Sequence, residues 1–248
     1  MIKKTIFFII CFFSLFILVG FSFAENVAYV SNGAQFEKAL KDENIKTINL
    51  ENDIVGNFVC KKNVITIEGN GYTIYSNNSD SYILTLNECL PGNMKDFWNK
   101  LEYSTSNLNF VGNKGLKIIG VPNLGMDYMD IVKIFNLEDM LEKVGVGNYC
   151  LNQVSFKGEG EKSIGLKVGT YLPLICKDCN FENLSLAIYG KNNSDIHLNS
   201  CFFKKSFQAY YTDDNDSKMR FYNCTFDDVI WGTIFDYKKF DKTFCFYD

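Results

Sequence analysis

The chain is short of the residues on which many metal sites and catalytic sites depend. It has one histidine, His197, and one arginine, Arg220, among 248 residues. A zinc site needs several convergent ligands, and one histidine among cysteines that we expect to be buried does not supply them. The 25 basic residues are outnumbered by 29 acidic ones, and they form no evident basic patch. The composition argues against a zinc site and against a nucleic-acid partner.

Long apolar runs are also missing, except at the N-terminus. Two lysines precede an apolar run over residues 5–20, and Ser22 and Ala24 occupy the −3 and −1 positions of a small-residue cleavage site. These features predict a signal peptide over residues 1–24, with an uncleaved anchor as the alternative. No later stretch reaches the roughly 18 apolar residues that cross a bilayer. We therefore expect a mature chain without a membrane span, secreted or held in the cell envelope, whose formal charge changes from −4 to −6 because two lysines are lost.

A repeated segment dominates the second half of the chain. The four stretches YCLNQVSF, LICKDCNF, IHLNSCFF and MRFYNCTF close on Phe156, Phe181, Phe203 and Phe226. The steps between these phenylalanines are 25, 22 and 23 residues. A period of this length is typical of a stacked repeat architecture.

Each repeat has two pairs of apolar positions, separated by a polar pair. Within a pair the positions are two residues apart, which is the period of a strand, and the polar pair is expected to be a bend. A small residue followed by an apolar or aromatic one, such as Gly165 and Leu166, predicts a third short strand. Three strands per repeat predict an all-β fold, a single-stranded right-handed parallel β-helix of about eight coils with about 23 residues each. A β-sandwich is the alternative, but it predicts turn signals every 8–12 residues rather than aligned columns.

The first mature residues predict a cap for one end of this solenoid. A strand at residues 27–30 is followed by a short amphipathic helix from Ala34 to Lys41, and Asn32 and Gln35 have the spacing of a capping box. The first coil of a solenoid exposes apolar columns and unpaired strand groups, so a covering helix has a physical role there.

These N-terminal residues also carry a family resemblance. The run VSNGAQFEKALKDENIKTINLENDI, followed by NVITIEGNGYTIYS, resembles the start of pectin-lyase-like right-handed β-helix proteins of the bacterial exported or surface type. The resemblance covers residues 27–235 as an architecture. It implies the β-helix fold, and its members include polysaccharide lyases, pectin glycosidases and non-enzymatic surface proteins.

The expected domain occupies residues 25–248 and has four parts. These are an N-terminal cap at 25–50, irregular coils with insertions at 90–145, regular coils at 146–235 and a C-terminal cap at 236–248. Within the irregular part we expect short helical segments near residues 91–101 and 136–144. Phe110 lies 46 residues before Phe156, which equals two periods of 23, so we expect two coil steps between them.

Eight of the nine cysteines follow the predicted signal peptide. An even number in an exported protein permits disulfides. However, Cys179, Cys201 and Cys224 fall in one inward column, where in-register side chains point the same way. We expect a column of small buried hydrophobic side chains there. The Cys176/Cys179 pair straddles a bend with no helix after it, which argues against thioredoxin-like chemistry.

A charged cluster is the first candidate for chemistry. By the column alignment, Asp195 and Lys218 share one outward position, and His197 and Arg220 share another. Lyases of the resembled family use arginine or lysine to bind a uronate carboxylate and to remove its neighbouring proton. An exposed polar ladder without chemistry is the alternative reading.

An acidic turn is the second candidate. Asp213, Asp214 and Asp216 follow a predicted strand. Pectin hydrolases of the resembled fold cleave with aspartates, and Asp195 with Asp213 and Asp214 partly matches their pattern. The expected Gly-His-Gly element is missing, because Thr233 follows Gly232. The three aspartates could instead bind Ca²⁺, or form a solvated turn.

Aromatic side chains are the third candidate. Tyr189 and Tyr211 fall at the outward position of successive third strands, and Trp231 lies nearby. Flat aromatic faces on a rigid ribbon suit the apolar faces of sugar rings. Stacking between coils, without a ligand, is the alternative.

These observations favour an exported, non-catalytic β-helix protein that binds glycan or another surface partner. The alternative is a polysaccharide lyase or glycosidase acting on an acidic polysaccharide. An enzyme of this fold needs carboxylates and cations from three or more coils at one groove, whereas the charged cluster comes from two. Apolar residues are also expected at outward positions, at Ile175, Phe202 and Ile234, where they could mark a partner surface.

Overall fold

The computed structural model describes residues 26–87, 102–120, 148–170, 173–191, 194–212, 217–235 and 246–247. The predicted signal peptide, both helical segments expected within 90–145 and most of the predicted C-terminal cap lie outside these ranges. Within them, no helix is long and apolar enough to cross a membrane.

The described residues form one helix and 23 strands. The chain begins with β1 (Val27–Val30), α1 (Gly33–Lys41) and β2 (Thr47–Leu50). The strands that follow up to residue 120 are β3 (Ile54–Val55), β4 (Phe58–Cys60), β5 (Val64–Glu68), β6 (Thr73–Tyr75), β7 (Leu84–Asn87), β8 (Glu102–Ser106), β9 (Asn109–Val111) and β10 (Lys114–Ile119). The strands after residue 147 are β11 (Asn148–Asn152), β12 (Ser155–Lys157), β13 (Ile164–Gly169), β14 (Pro173–Lys177), β15 (Asn180–Glu182), β16 (Leu186–Gly190), β17 (Asp195–Asn199), β18 (Phe202–Lys204), β19 (Gln208–Thr212), β20 (Lys218–Tyr222), β21 (Thr225–Asp227), β22 (Trp231–Phe235) and β23 (Phe246–Tyr247).

Three parallel sheets run along the molecule. The first sheet has nine strands in the order β1-β2-β5-β8-β11-β14-β17-β20-β23. The second has seven, β3-β6-β9-β12-β15-β18-β21, and the third has seven, β4-β7-β10-β13-β16-β19-β22. Seven coils contribute one strand to each sheet, and β1 and β23 add a strand to the first sheet alone. The chain is therefore an all-β right-handed parallel β-helix, which confirms the predicted fold class.

The polar pairs of the repeats form the bends between the first and second sheets. One residue of each pair has left-handed backbone geometry, with φ of 54° at Gln153, 52° at Asp178, 53° at Ser200 and 50° at Asn223. Short polar side chains tolerate this conformation better than other non-glycine residues because they can bond locally to the backbone. Because this bend recurs at the same position of each repeat, the inward columns stay aligned from coil to coil.

The core is a set of like-on-like columns inside the solenoid. The rings of Phe110, Phe156, Phe181, Phe203 and Phe226 stack in order, with centroid separations of 5.4, 5.1, 4.9 and 4.9 Å. The first four rings are fully buried. Burying such a side chain contributes about 1.5–3 kcal/mol to folding, so the column is a major part of the hydrophobic core.

The register through the irregular coils differs from the sequence prediction. Phe110 pairs directly with Phe156 between β9 and β12, so these two residues are one coil apart and the expected two coil steps are wrong. Residues 107–110, where the sequence pattern favours a strand, are also not one strand. Asn107 has φ of 49° and separates β8 from β9, which gives this coil the same bend as the later repeats.

Helix α1 covers the N-terminal end of the core. Its buried residues are Phe36, Ala39 and Leu40, and the Phe36 ring meets the Phe58 ring edge-on at 4.9 Å. Asn32 Oδ1 accepts a hydrogen bond from the Gln35 backbone N–H at 3.0 Å, as the capping spacing predicts. The glutamine side chain bonds back to the N–H of Ser31, one residue before the cap.

Candidate functional site

The outward column of the third sheet combines aromatic and cationic side chains. Strands β10, β13, β16 and β19 pair in register, which aligns Lys117, Lys167, Tyr189 and Tyr211. We call these four residues the ladder. They alternate with inward residues such as Leu166 in the same strands, so the strand period of two places them on the outer face.

The side chains of the ladder contact one another. The rings of Tyr189 and Tyr211 lie 5.5 Å apart with their planes tilted by 45°. Lys167 Nζ lies 4.8 Å from the centre of the Tyr189 ring, and Lys191 Nζ lies 5.3 Å from it. A cation at this distance from an aromatic face is attracted by the ring quadrupole, typically by about 0.5–1 kcal/mol at an exposed site. These contacts hold the tyrosine rings in place on a rigid sheet.

A further tyrosine lies near the N-terminal end of the ladder. Lys117 Nζ is 5.8 Å from the centre of the Tyr82 ring. Burial, with a smaller contribution from Tyr189, raises the pKa of the Tyr82 phenol to about 12. The Tyr82 phenol is therefore neutral at ordinary pH, and its half-buried side chain lies beside Lys117.

Trp231 does not continue the ladder. It pairs with Gln208 between β19 and β22, whereas Ile234 pairs with Tyr211. The tryptophan is exposed, but it lies three residues before the ladder position of its strand. Trp231 therefore lies on the strand next to Tyr211 but outside the column of the ladder.

The charged cluster has the placement that the alignment predicts. Asp195 pairs with Lys218 and His197 pairs with Arg220 between β17 and β20. Arg220 donates to Asp195 Oδ1 and lies 2.6 Å from His197 Nε2, which is 3.2 Å from the same carboxylate oxygen. Continuing along this outward column, His197 follows Ile175 and Cys150 on the two preceding coils.

In this arrangement the side chains of Asp195, His197 and Arg220 bind one another. The guanidinium is bound to a carboxylate from the neighbouring strand, and the coil that precedes His197 offers Ile175, which is exposed and apolar. Among the described residues, the cluster draws its charged groups from β17 and β20.

Of the other apolar residues expected at outward positions, Phe202 is half-buried, and the side chain of Ile234 lies outside the described set.

The acidic turn falls outside the described residues. Asp213, Asp214 and Asp216, proposed as catalytic groups or Ca²⁺ ligands, belong to the range 213–216. Among the residues that the structure does describe, no group of three or more histidine, cysteine or acidic side chains could hold a metal ion.

The cysteine column lies in the core and carries hydrogen-bonded thiols. Within the described ranges six cysteines form no disulfide, and they include Cys176, Cys179, Cys201 and Cys224. The hydrogen bond with Cys179 raises the pKa of the Cys201 thiol to about 12, and contacts with Cys176 and Cys201 likewise raise the pKa values of Cys179 and Cys224. Protonated, buried thiols are poor nucleophiles and poor metal ligands.

The lysines of the ladder were missed in the sequence. Lys117 and Lys167 each follow an apolar residue that itself follows a glycine, in the segments Gly115-Leu116-Lys117 and Gly165-Leu166-Lys167. Tyr189 and Tyr211 follow Ala187-Ile188 and Ala209-Tyr210 in the same way. Counting from the small residue would therefore have aligned all four side chains.

The fold defines the class of protein, a right-handed parallel β-helix. A comparison with family models identifies the family within that class. The model described as "Putative pectate lyase-like adhesive domain" matches residues 27–158. This range is more than half of the chain, and the chain belongs to that family. A comparison with curated proteins found no match to the sequence. Lys117 lies within the matched range, whereas the other ladder residues lie after it.

Proposed function

We propose that the chain is an exported, non-catalytic adhesive protein that binds glycan through the ladder. The observation that carries the proposal is the in-register column of Lys167, Tyr189 and Tyr211, with its two rings 5.5 Å apart. Membership of an adhesive-domain family supports the adhesive role, and the signal-like residues 1–24 support export.

The chemistry of the ladder suits a sugar chain. Aromatic faces stack against the apolar faces of sugar rings, while tyrosine hydroxyls and lysine ammonium groups can bond to hydroxyl or acidic substituents. Successive coils are about 4.8 Å apart, so the ladder offers evenly spaced contacts along a polymer. The side chains stand on paired strands, so little conformational entropy is lost when a ligand binds.

The geometry of the charged cluster supports binding without catalysis. A lyase needs a cation for the substrate carboxylate and a base placed beside it. Arg220 is already bound to Asp195, and His197 lies against both. An incoming uronate would have to displace that ion pair, and the neighbouring coil supplies Ile175 rather than another cation.

A glycan array with the purified mature chain tests the proposal. We expect binding to at least one class of glycan and no release of unsaturated or reducing ends from pectin-type polymers. An array without any bound glycan would end the binding proposal. Turnover that disappears in Arg220→Ala or Asp195→Asn would instead assign a lyase or hydrolase.

A further inference from the structure

A groove lies on a different part of the surface from the ladder, at the turns between the second and third sheets. It has a volume of about 480 Å³. Four successive turns contribute to it, at residues 159–161, 183–185, 205–207 and 228–230. Three coil steps of about 4.8 Å make it about 14 Å long, which matches four to five residues of extended peptide at about 3.3 Å each.

The floor of the groove is apolar and open to solvent. Phe207 is 52 % exposed and Ile230 is 66 % exposed, and Trp231 beside them is 50 % exposed. Contiguous exposed apolar side chains of this size are uncommon on a monomer unless a partner covers them. The turns that carry them are held by bonds between coils, as where Asn183 Nδ2 donates to the Gly158 carbonyl at 2.9 Å.

The rim of the groove is predominantly acidic. Glu159, Glu161 and Asp228 line it with a single cation, Lys205. All four side chains are exposed, and within the described part of the chain none of the three carboxylates forms an ion pair. The groove therefore combines an apolar centre with a net negative rim.

This combination selects among the possible occupants. In a symmetric contact with a second copy the same patch meets itself, which would bring one net negative rim against another. An anionic membrane surface would be repelled by the same groups. A short peptide segment with basic residues beside an apolar side chain satisfies both the rim and the floor.

We infer that this groove is a second binding site, and that it takes an extended, cationic segment of a partner protein, about five residues long, with an apolar side chain seated on Phe207 and Ile230. The site is separate from the ladder and does not depend on glycan binding. It would let the molecule contact a protein and a glycan at two sites of one solenoid.

Selection from a displayed library of random heptapeptides on the immobilised mature chain tests this inference. We expect enriched peptides to carry lysine or arginine next to an apolar residue. A synthetic copy of an enriched peptide should lose at least tenfold in affinity with Phe207→Ser and with Glu161→Lys, and its binding should weaken with added salt.

Matched controls keep the test specific. Tyr29→Ser changes an equally exposed aromatic residue on β1, and Glu43→Lys reverses an exposed charge near α1; neither should alter peptide binding. Circular dichroism of each variant confirms that it folds. The inference is overturned if no peptide is enriched, if the enriched peptides lack basic residues, or if the groove variants bind as the wild type does. Self-association abolished by Phe207→Ser would assign the groove to a second copy and would also overturn it.

Discussion

At the scale of the residue, register decides what each aromatic side chain does. Phe203 and Phe207 are four residues apart, yet the first is fully buried in the phenylalanine column and the second is exposed at the groove. Tyr210 and Tyr211 are adjacent in sequence, and the first points into the core while the second belongs to the ladder. Residue type alone does not separate these roles, because they follow from position within the coil.

Phe203→Ala should destabilise the fold by about 3–5 kcal/mol, because it opens a cavity between the rings of Phe181 and Phe226, which stack on it. Chemical denaturation of the purified chain measures the loss. Phe207→Ala is the matched control, and as a change at an exposed side chain it should cost about 0.5 kcal/mol or less. A loss below about 1 kcal/mol for Phe203→Ala would show that the column is not the core.

At the scale of the element, short segments stabilise the solenoid by closing its ends and aligning its bends. Helix α1 seals the first coil, and Lys62 from a later coil binds its C-terminal end. The lysine Nζ donates to the backbone carbonyls of Ala39, Asp42 and Ile45 at 2.5–2.8 Å. Carbonyls at the end of a helix lack partners within the helix, so this cation satisfies groups that would otherwise be exposed at the cap.

Asn32→Ala should lower the free energy of unfolding by about 1 kcal/mol, since it removes the side-chain acceptor for the Gln35 N–H. Thermal or urea unfolding provides the comparison. Asn32→Asp retains an acceptor and should remain close to the wild type. Equal losses in both variants would argue against the capping bond as the cause.

The cysteine column should make stability fall at alkaline pH. The Cys201 thiol ionises near 9.0 when unfolded, but its pKa in the folded chain is about 12. Above pH 9 the unfolded state therefore binds fewer protons, so this contribution to stability is lost as pH rises from about 9 to 12. Urea unfolding between pH 8 and 10.5 should show a shallower decline in Cys201→Ala than in the wild type, and parallel declines would contradict the assignment.

At the scale of the whole molecule, the regular coils could be predicted from the sequence, and the irregular ones only in part. Beyond residue 146 each coil must place its apolar side chains in the same columns of the core. The number of residues per coil therefore varies by only a few, and the period is visible in the sequence. Between Phe110 and Phe156 the chain spends 46 residues in one coil, so the period of the later repeats does not hold there. That length equals two regular periods, which made the register appear continuous.

The candidate site shows a similar division. The pairing of Tyr189 with Tyr211, and of His197 with Arg220, follows from the repeat alignment. The cation contacts on Tyr189 depend on how long lysine side chains lie across neighbouring strands, which spacing does not fix. The groove depends on turns whose residues differ from coil to coil, so no repeated residue in the sequence indicates where it lies.

The measurement that tests the central claim most directly is a titration of Tyr211→Ala with a glycan that binds the wild type. Removing one of two neighbouring rings should weaken binding at least several-fold while the fold remains intact by circular dichroism. Tyr75→Ala, which removes an exposed tyrosine from β6 in the second sheet, should bind like the wild type. Unchanged affinity in Tyr211→Ala, or an equal loss in Tyr75→Ala, would contradict glycan binding through the ladder.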